Sequence, residues 1–142
     1  MPTRTAEAQW NGTLQEGNGH LRMATGAWEG PYSASSRFEE GQGTNPEELI
    51  AAAHAGCFSM AFAGSLGRAG FTPGEIRTRA NVRLERGEAG WDIVAIVLDT
   101  EAEVEGIDDE RFEEIAEQTK VACPVSKALA AVPSITVNAK RV

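Results

Sequence analysis

The order of hydrophobic and polar positions in the first third of the chain predicts three strands. Residues 5–14 and 19–25 flank the turn-rich stretch QEGNG, which is typical of a hairpin. A third strand is predicted over residues 32–38, and a polar, glycine-containing loop follows it up to Thr44. The first two segments are therefore expected to form a hairpin.

Residues 46–68 lack this alternation and predict a long helix. Asn45 can cap its first turn, Pro46 suits the first helical position, and acidic residues follow at the positive end of the helix dipole. The body of the helix, LIAAAHAGCFSMAFAGSL, carries no charge and no polar stripe. A helix that is apolar all round is expected to be buried, either in a core or at a subunit interface.

The second half of the chain resumes the alternating pattern. Residues 76–85 predict a half-buried strand, and the turn at 87–90 leads into a second strand over about 91–104. The middle of that second strand, IVAIVL, is apolar enough to be covered on both sides. A last strand follows Pro133, with alternating residues over 135–140.

A second helix is predicted between these strands. Asp108 caps it, and Pro124 ends it directly after Cys123, with a short helix restarting over about 124–130. Its inward residues recur at helical spacing: Phe112, Ile115, Ala116 and Thr119. The order of elements predicts an α+β fold, in which antiparallel sheets surround a long buried central helix and a second, proline-kinked helix.

Composition narrows the class of protein. The chain has 142 residues, 42% hydrophobic and 24% charged, which is typical of one soluble domain, so a single domain is expected over residues 1–142. The formal net charge of −8 argues against nucleic acid or an anionic membrane as a partner. No apolar run approaches the roughly 20 residues of a membrane span, and the start lacks the pattern of a secretory signal. We therefore expect a cytoplasmic protein, and no pattern indicates a cofactor.

The two cysteines, Cys57 and Cys123, are the candidate chemical groups. In a reducing compartment such a pair indicates redox chemistry, catalysis or metal binding more than a structural disulfide, although composition alone favours a small buried hydrophobe for each residue. Cys123 precedes Pro124 and is a candidate helix N-cap, where free N–H groups lower a thiol pKa; a core cysteine beside a kink is the equal alternative. Cys57 lies among alanines, which raise its pKa, so a reactive Cys57 needs a cation from elsewhere.

His54 offers a different chemistry. It lies three residues before Cys57, on nearly the same helical face, and a Cys–His pair is the arrangement of nucleophilic hydrolases. The favoured interpretation is a partly buried histidine with a backbone partner. A metal site of His54, Cys57 and Cys123 matches no zinc spacing, so we expect no metal.

Two motifs around the cysteines carry a resemblance to a known family. The run GTNPEELIAAAHAGCFSMA begins at Gly43, and ACPVS begins at Ala122. Together with SRFE at 36–39 and GFTP at 70–73, they resemble the OsmC/Ohr family, the osmotically inducible and organic hydroperoxide resistance proteins. The likeness covers nearly the whole chain, and the GTNPEEL motif with a histidine before the cysteine resembles the OsmC branch more than the Ohr branch.

The resemblance implies roles for four residues. Cys57 corresponds to the peroxidatic cysteine and Cys123 to the resolving one. Arg37 corresponds to the arginine that holds the thiolate, and Glu47 to the glutamate that pairs with that arginine. The implied activity is reduction of organic hydroperoxides to alcohols through a Cys57 sulfenic acid and a Cys57–Cys123 disulfide. The implied reductant is an external dithiol, with a dihydrolipoyl protein as first candidate.

The resemblance also implies an intertwined homodimer with two active sites at its interface, and helix geometry agrees. Glu47 and Cys57 are ten residues apart, which is about 15 Å of rise and about 80° around a continuous helix. Their side chains therefore cannot meet within one chain unless the helix breaks. Two antiparallel copies crossing near Ala52 would bring Glu47 of one chain to Cys57 of the other. The small residues at the crossing would permit a close approach: Ala51, Ala52, Ala53, Ala55 and Gly56.

Two other functions stay open from the sequence. A Cys57–His54 hydrolase or acyltransferase would need neither Cys123 nor Arg37, and a non-enzymatic dimer would bind a small lipid-like ligand. An apolar surround of Cys57 would suit an alkyl hydroperoxide, yet its members are equally well explained as core: Phe58, Met60 and Phe62.

Overall fold

The computed structural model describes all 142 residues, which form two compact units, Met1–Leu49 and Ile50–Val142. The first of these, the N-terminal unit, contains an antiparallel sheet in the order β1 (Ala6–Asn11), β2 (Asn18–Met23) and β3 (Glu29–Tyr32). Trp10 and Tyr32 both lie opposite Gly19, and their ring centroids are 5.4 Å apart. A side chain at position 19 would collide with both rings, so a glycine is needed there. The single domain over residues 1–142 stays a prediction.

A short helix replaces most of the strand expected over residues 32–38. Strand β3 ends at Tyr32, and α1 (Ala34–Phe38) follows it. Ser33 and Ser36 form a capping box: the Ser36 N–H donates to Ser33 Oγ at 3.1 Å, and the Ser33 N–H donates to Ser36 Oγ at 2.8 Å. The prediction was wrong because these reciprocal hydrogen bonds satisfy the free N–H groups of a helical turn, which alternation alone does not reveal.

The long helix α2 (Pro46–Arg68) has the predicted bounds. Its first turn is capped as expected, since the Glu48 N–H donates to Asn45 Oδ1 at 2.8 Å. The helix buries one stripe at every fourth position, formed by His54, Phe58, Phe62 and Leu66. The opposite face, formed by Ala52, Ala53, Gly56 and Met60, is exposed in the single chain.

The exposed apolar face of α2 corrects two expectations from the sequence: that no apolar segment is long enough to span a membrane, and that this helix is buried all round. With 23 residues and a mean hydropathy of 1.5 over its apolar window, α2 is long and apolar enough by length and composition to cross a membrane. The core helix of a soluble protein can have the same length and composition. Within this chain 22% of that window is buried, so α2 is only partly the enclosed helix that the sequence predicts.

The second unit, the C-terminal unit, contains a mixed sheet in the order β4 (Pro73–Gly87), β5 (Gly90–Val104) and β6 (Ser134–Arg141). Strands β4 and β5 form the predicted hairpin, whereas β6 runs parallel to β5, from Ala95 opposite Ser134 to Ala102 opposite Arg141. The expectation of wholly antiparallel sheets was therefore wrong here. The reason is the crossover through α3 (Asp109–Ala122) and α4 (Pro124–Ala128), which returns the chain to the start of β5.

The hydrophobic core lies in the C-terminal unit, between the mixed sheet and the buried stripe of α2, with α3 closing it. The Phe62 ring is at its centre, 5.5 Å from the Phe58 ring and 5.3 Å from the Phe112 ring between centroids. Strand β5 buries alternate residues from Ile96 to Val104, so it is covered on one face and partly exposed on the other. The predicted inward residues of α3 are all buried: Phe112, Ile115, Ala116 and Thr119.

Candidate active site

Two helices of the C-terminal unit bring the two cysteines together. Cys57 lies in the middle of α2, and Cys123 lies at the junction of α3 and α4, where Pro124 prevents α3 from continuing. The two Sγ atoms are 2.9 Å apart, and both thiols are free. Because a disulfide bond is about 2.05 Å long, the sulfurs need to approach by less than about 1 Å to form one.

The two thiols differ in acidity. Burial raises the pKa of Cys57, and the hydrogen bond from Cys123 raises it further; the Val125 backbone lowers it by less, and the charge of Cys123 adds the smallest increase. Burial alone would also raise the pKa of Cys123. The Cys57 thiol, the backbone and hydroxyl of Ser126, and the Val125 backbone outweigh it, so the pKa of Cys123 is lowered. Cys123 is therefore the more acidic of the two thiols.

The difference in acidity between the two thiols bears on two predictions made from the sequence. The expectation that the surroundings of Cys57 raise its pKa is confirmed. Cys123 is the N-cap residue of α4, with Pro124 in the first helical position, and its pKa is lowered as that position favours. It follows that Cys57 needs a positive charge beside it before it becomes the more reactive thiolate.

His54 does not pair with Cys57. Its side chain is fully buried, and Nε2 lies 2.7 Å from the Ser126 hydroxyl, while Nδ1 is buried without a partner. Burial lowers the pKa of His54, so the imidazole is neutral at neutral pH. The favoured interpretation was thus wrong in two details, since the histidine is wholly buried and its partner is a side-chain hydroxyl. Cys57 and His54 therefore do not form the nucleophile–base contact that a Cys–His hydrolase requires.

Arg37 and Glu47 form a bidentate ion pair within the N-terminal unit. Arg37 Nε donates to Glu47 Oε1 at 2.8 Å, and Nη2 donates to Oε2 at 3.3 Å. Glu47 is buried in the first turn of α2, whereas the Arg37 side chain, at the end of α1, is 38% exposed. The carboxylate therefore fixes the direction of the guanidinium while leaving part of it available to another group.

An apolar cleft of about 240 Å³ adjoins this ion pair. It is lined by Trp10, Leu14, Tyr32, Ser33, Ala34, Arg37 and Phe38. The guanidinium carbon of Arg37 lies 5.2 Å from the centre of the Phe38 ring. The cleft thus places an apolar wall next to a fixed positive charge.

The structure assembles the predicted site residues as two pairs, Cys57 with Cys123 and Arg37 with Glu47, one in each unit. Of the apolar neighbours of Cys57, two belong to the core and one is exposed: Phe58, Phe62 and Met60 respectively. Sequence reasoning missed Ser126, although its spacing from Cys123 matches that of His54 from Cys57. It also missed the aromatic cleft, because only strand pairing brings Trp10 and Tyr32 together.

The α+β fold carries two free thiols in contact, an arrangement that suits thiol–disulfide exchange. The family described as OsmC-like protein matches residues 39–138. The peroxiredoxin OsmC of Escherichia coli (strain K12) is 46% identical over 129 residues, which are 90% of this chain and 90% of that protein. The chain therefore belongs to the OsmC family, in its OsmC branch. This membership confirms the resemblance and supports a peroxidase-type role.

Solved structures agree on the fold. The organic hydroperoxide resistance protein OhrB of Bacillus subtilis matches with a TM-score of 0.68 at 23% identity, over 97% of this chain and 98% of that chain. An OsmC-like protein of Vibrio cholerae matches with a TM-score of 0.76 at 15% identity, over 98% of this chain and 99% of that chain. The predicted α+β fold class is confirmed.

Proposed function

We propose that this protein is a thiol-dependent peroxidase that reduces organic hydroperoxides to alcohols in the defence against oxidative and osmotic stress. The observation that carries the proposal is the 2.9 Å contact between the Cys57 and Cys123 sulfurs in a chain of the OsmC family. Two free thiols at this distance can cycle between the reduced and the disulfide state with little movement.

The first chemical step is attack of the Cys57 thiolate on the peroxide O–O bond. A new S–O bond forms while the O–O bond breaks, and the leaving alkoxide takes a proton to become the alcohol. Cys57 is left as a sulfenic acid. In the second step the Cys123 thiolate attacks the Cys57 sulfur, and water is released. An external dithiol, such as a dihydrolipoyl protein, then reduces the Cys57–Cys123 disulfide by exchange.

The first step requires a cation near Cys57, because burial raises the pKa of this thiol. Arg37 is the proposed cation: a guanidinium stays protonated, and within about 4–6 Å it can lower the pKa of a neighbouring acid by roughly 1–3 units. Glu47 holds it by two hydrogen bonds. The other proposed site residue, Cys123, then resolves the sulfenic acid.

We propose that Arg37 and Glu47 come to Cys57 from a second copy of the chain. Helix α2 is continuous from Pro46 to Arg68, so Glu47 and Cys57 are separated by about 15 Å of helix rise. A homodimer in which two α2 helices cross near Ala52 would form two equivalent composite sites around a two-fold axis.

The uncovered face of α2 supports this dimer. It is apolar over several turns and carries small residues at Ala52, Ala53 and Gly56, so another helix can approach closely. Met60, 78% exposed in the single chain, extends the same face. A second copy of α2 would remove this surface from water, which also accounts for a helix that lacks a polar face.

The apolar cleft beside Arg37 supports an organic hydroperoxide as substrate. Its aromatic wall suits an alkyl or aryl group, while the guanidinium at its edge would attract the polar peroxide end. We place the protein in the cytoplasm, because a thiol pair that must be reduced after each turnover needs a reducing compartment.

The test is peroxide reduction combined with the mass of the intact protein. After one equivalent of cumene hydroperoxide, the wild-type chain should lose two hydrogens as the disulfide forms. Cys57→Ser should form no sulfenic acid. Cys123→Ser should reduce about one equivalent and then gain one or two oxygen atoms at Cys57.

The outcomes separate this proposal from its rivals. A wild-type protein that consumes no dithiol with cumene or tert-butyl hydroperoxide is not the proposed peroxidase, and ester hydrolysis lost in Cys57→Ser would favour the hydrolase. Normal turnover of Cys123→Ser with an external dithiol would remove Cys123 from the mechanism.

A further inference from the structure

A second polar contact lies one helical turn from the sulfur pair. His54 is three residues before Cys57 on α2, and Ser126 is three residues after Cys123 in α4. The His54 Nε2 to Ser126 Oγ distance is 2.7 Å, and the distance between the sulfurs is 2.9 Å. The same two segments are thus joined twice, at matching positions.

Ser126 links the histidine to the resolving thiol. It is the third residue of α4, three positions after the N-cap residue Cys123, and its hydroxyl and backbone both act to lower the pKa of Cys123. A hydroxyl has one proton to donate. When that proton is directed to the Cys123 thiolate, the hydrogen bond between Ser126 and His54 must be donated by Nε2–H.

The other nitrogen of His54 is consistent with this arrangement. With the proton on Nε2, Nδ1 carries only a lone pair, and this nitrogen is buried without a hydrogen-bond partner. An apolar side chain of similar size would fill the position without burying an unpaired nitrogen, which is costly. A donor that holds Ser126 in one orientation gives a reason for histidine in an otherwise apolar stripe.

We propose that His54 and Ser126 are positioning residues for the resolving step: His54 orients the Ser126 hydroxyl toward Cys123 and ties α4 to α2. This inference rests on the proposed peroxidase function and concerns its second step. The Cys123 sulfur is held 2.9 Å from that of Cys57, so a newly formed sulfenic acid meets its resolving partner before a second peroxide does.

The step balances without any further reagent. The Cys123 thiolate supplies the electron pair of the new S–S bond, the S–O bond of the Cys57 sulfenic acid breaks, and hydroxide leaves and takes a proton to become water. Ser126 donates a hydrogen bond but loses no proton, and His54 keeps its proton on Nε2.

The first arm of the test needs no peroxide. In a Cys57→Ser chain, ultraviolet absorbance of the thiolate across pH gives the pKa of Cys123. Adding Ser126→Ala or His54→Phe should raise this pKa by about one unit or more, because a hydrogen bond to a charged sulfur is lost. His54→Gln keeps an N–H donor at a similar position and should leave the value nearly unchanged.

The second arm measures resolution. After a pulse of cumene hydroperoxide, Ser126→Ala should form the Cys57 sulfenic acid at the wild-type rate, then form the disulfide about tenfold more slowly and accumulate sulfinic acid. Ser59→Ala is the matched control: it removes another hydroxyl from α2, one that donates to Thr78 at 2.8 Å, and should change neither step.

The outcomes of the two arms decide whether Ser126 and His54 position Cys123. An unchanged Cys123 pKa and disulfide rate in Ser126→Ala would overturn the inference, as would equal slowing of both chemical steps, which indicates a purely structural effect. If Ser126→Ala does not fold, His54→Gln against His54→Phe decides, and equal defects in these two refute the donor role. A wild-type chain without peroxide reduction would refute the proposed function instead, while the titration would still test the contact to Cys123.

Discussion

Subunit complementation tests whether one active site takes residues from two chains. Cys57→Ser removes the attacking thiol, and Arg37→Met removes the charge proposed to ionise it. Neither homodimer should reduce peroxide at the normal rate. In a mixed dimer, however, the intact Cys57 of one chain would meet the intact Arg37 of the other, while the second site would carry both defects.

The expected recovery follows from this geometry. Arg37 is tied to Glu47 at the start of α2, and Glu47 is about 15 Å of helix rise from Cys57. When equal amounts of the two chains are mixed at random, about half of the dimers are mixed, and each has one working site of two. Activity should therefore return to about one quarter of the wild-type value.

The assay is dithiol consumption with cumene hydroperoxide after joint refolding, with differently tagged chains to count mixed dimers. Glu47→Ala mixed with Cys57→Ser should behave similarly. The matched control is Cys57→Ser mixed with Cys123→Ser. Because the two sulfurs are 2.9 Å apart within one chain, this mixture should not regain two-cysteine turnover.

Two results would refute the reasoning. Absence of recovery in proven mixed dimers of Arg37→Met and Cys57→Ser would place both residues in one chain's site. Full recovery in the control mixture would mean that the working disulfide joins different chains.

Three further predictions concern charge, packing and pH. Arg37→Met should shift iodoacetamide alkylation of Cys57 to higher pH by roughly 1–3 units, because the compensating charge is lost while burial remains; an unchanged profile would exclude Arg37. Gly56→Leu should keep the folded chain, since a Cβ there meets no atom within 4 Å, but should give inactive monomers in sedimentation; a stable dimer would contradict the helix crossing. Burial lowers the pKa of His54 from 6.5, so below that pH the folded chain binds fewer protons than the unfolded chain and the free energy of unfolding falls. His54→Gln should lessen this fall in urea titrations at about pH 7 and pH 5, and an identical fall would place its cause elsewhere.

Local sequence determined most elements, because their signals act within a few residues. Asn45 and Pro46 start α2, Asp108 starts α3, and Pro124 separates α3 from α4, as cap geometry and a missing N–H require. The motifs around the cysteines also identified the OsmC family before any geometry was known. The failure at residues 32–38 was local too, since the Ser33 capping box outweighs the alternation.

Tertiary structure decided how these elements meet. The parallel pairing of β6 with β5 depends on the path of the crossover, which no periodicity encodes. The sulfur contact of Cys57 and Cys123 joins positions 66 residues apart in the chain. The Ser126 partner of His54 likewise lies on another helix, 72 residues away. Side-chain chemistry can thus be named from sequence, whereas the acidity of each thiol depends on burial and hydrogen bonds that only the packed helices create.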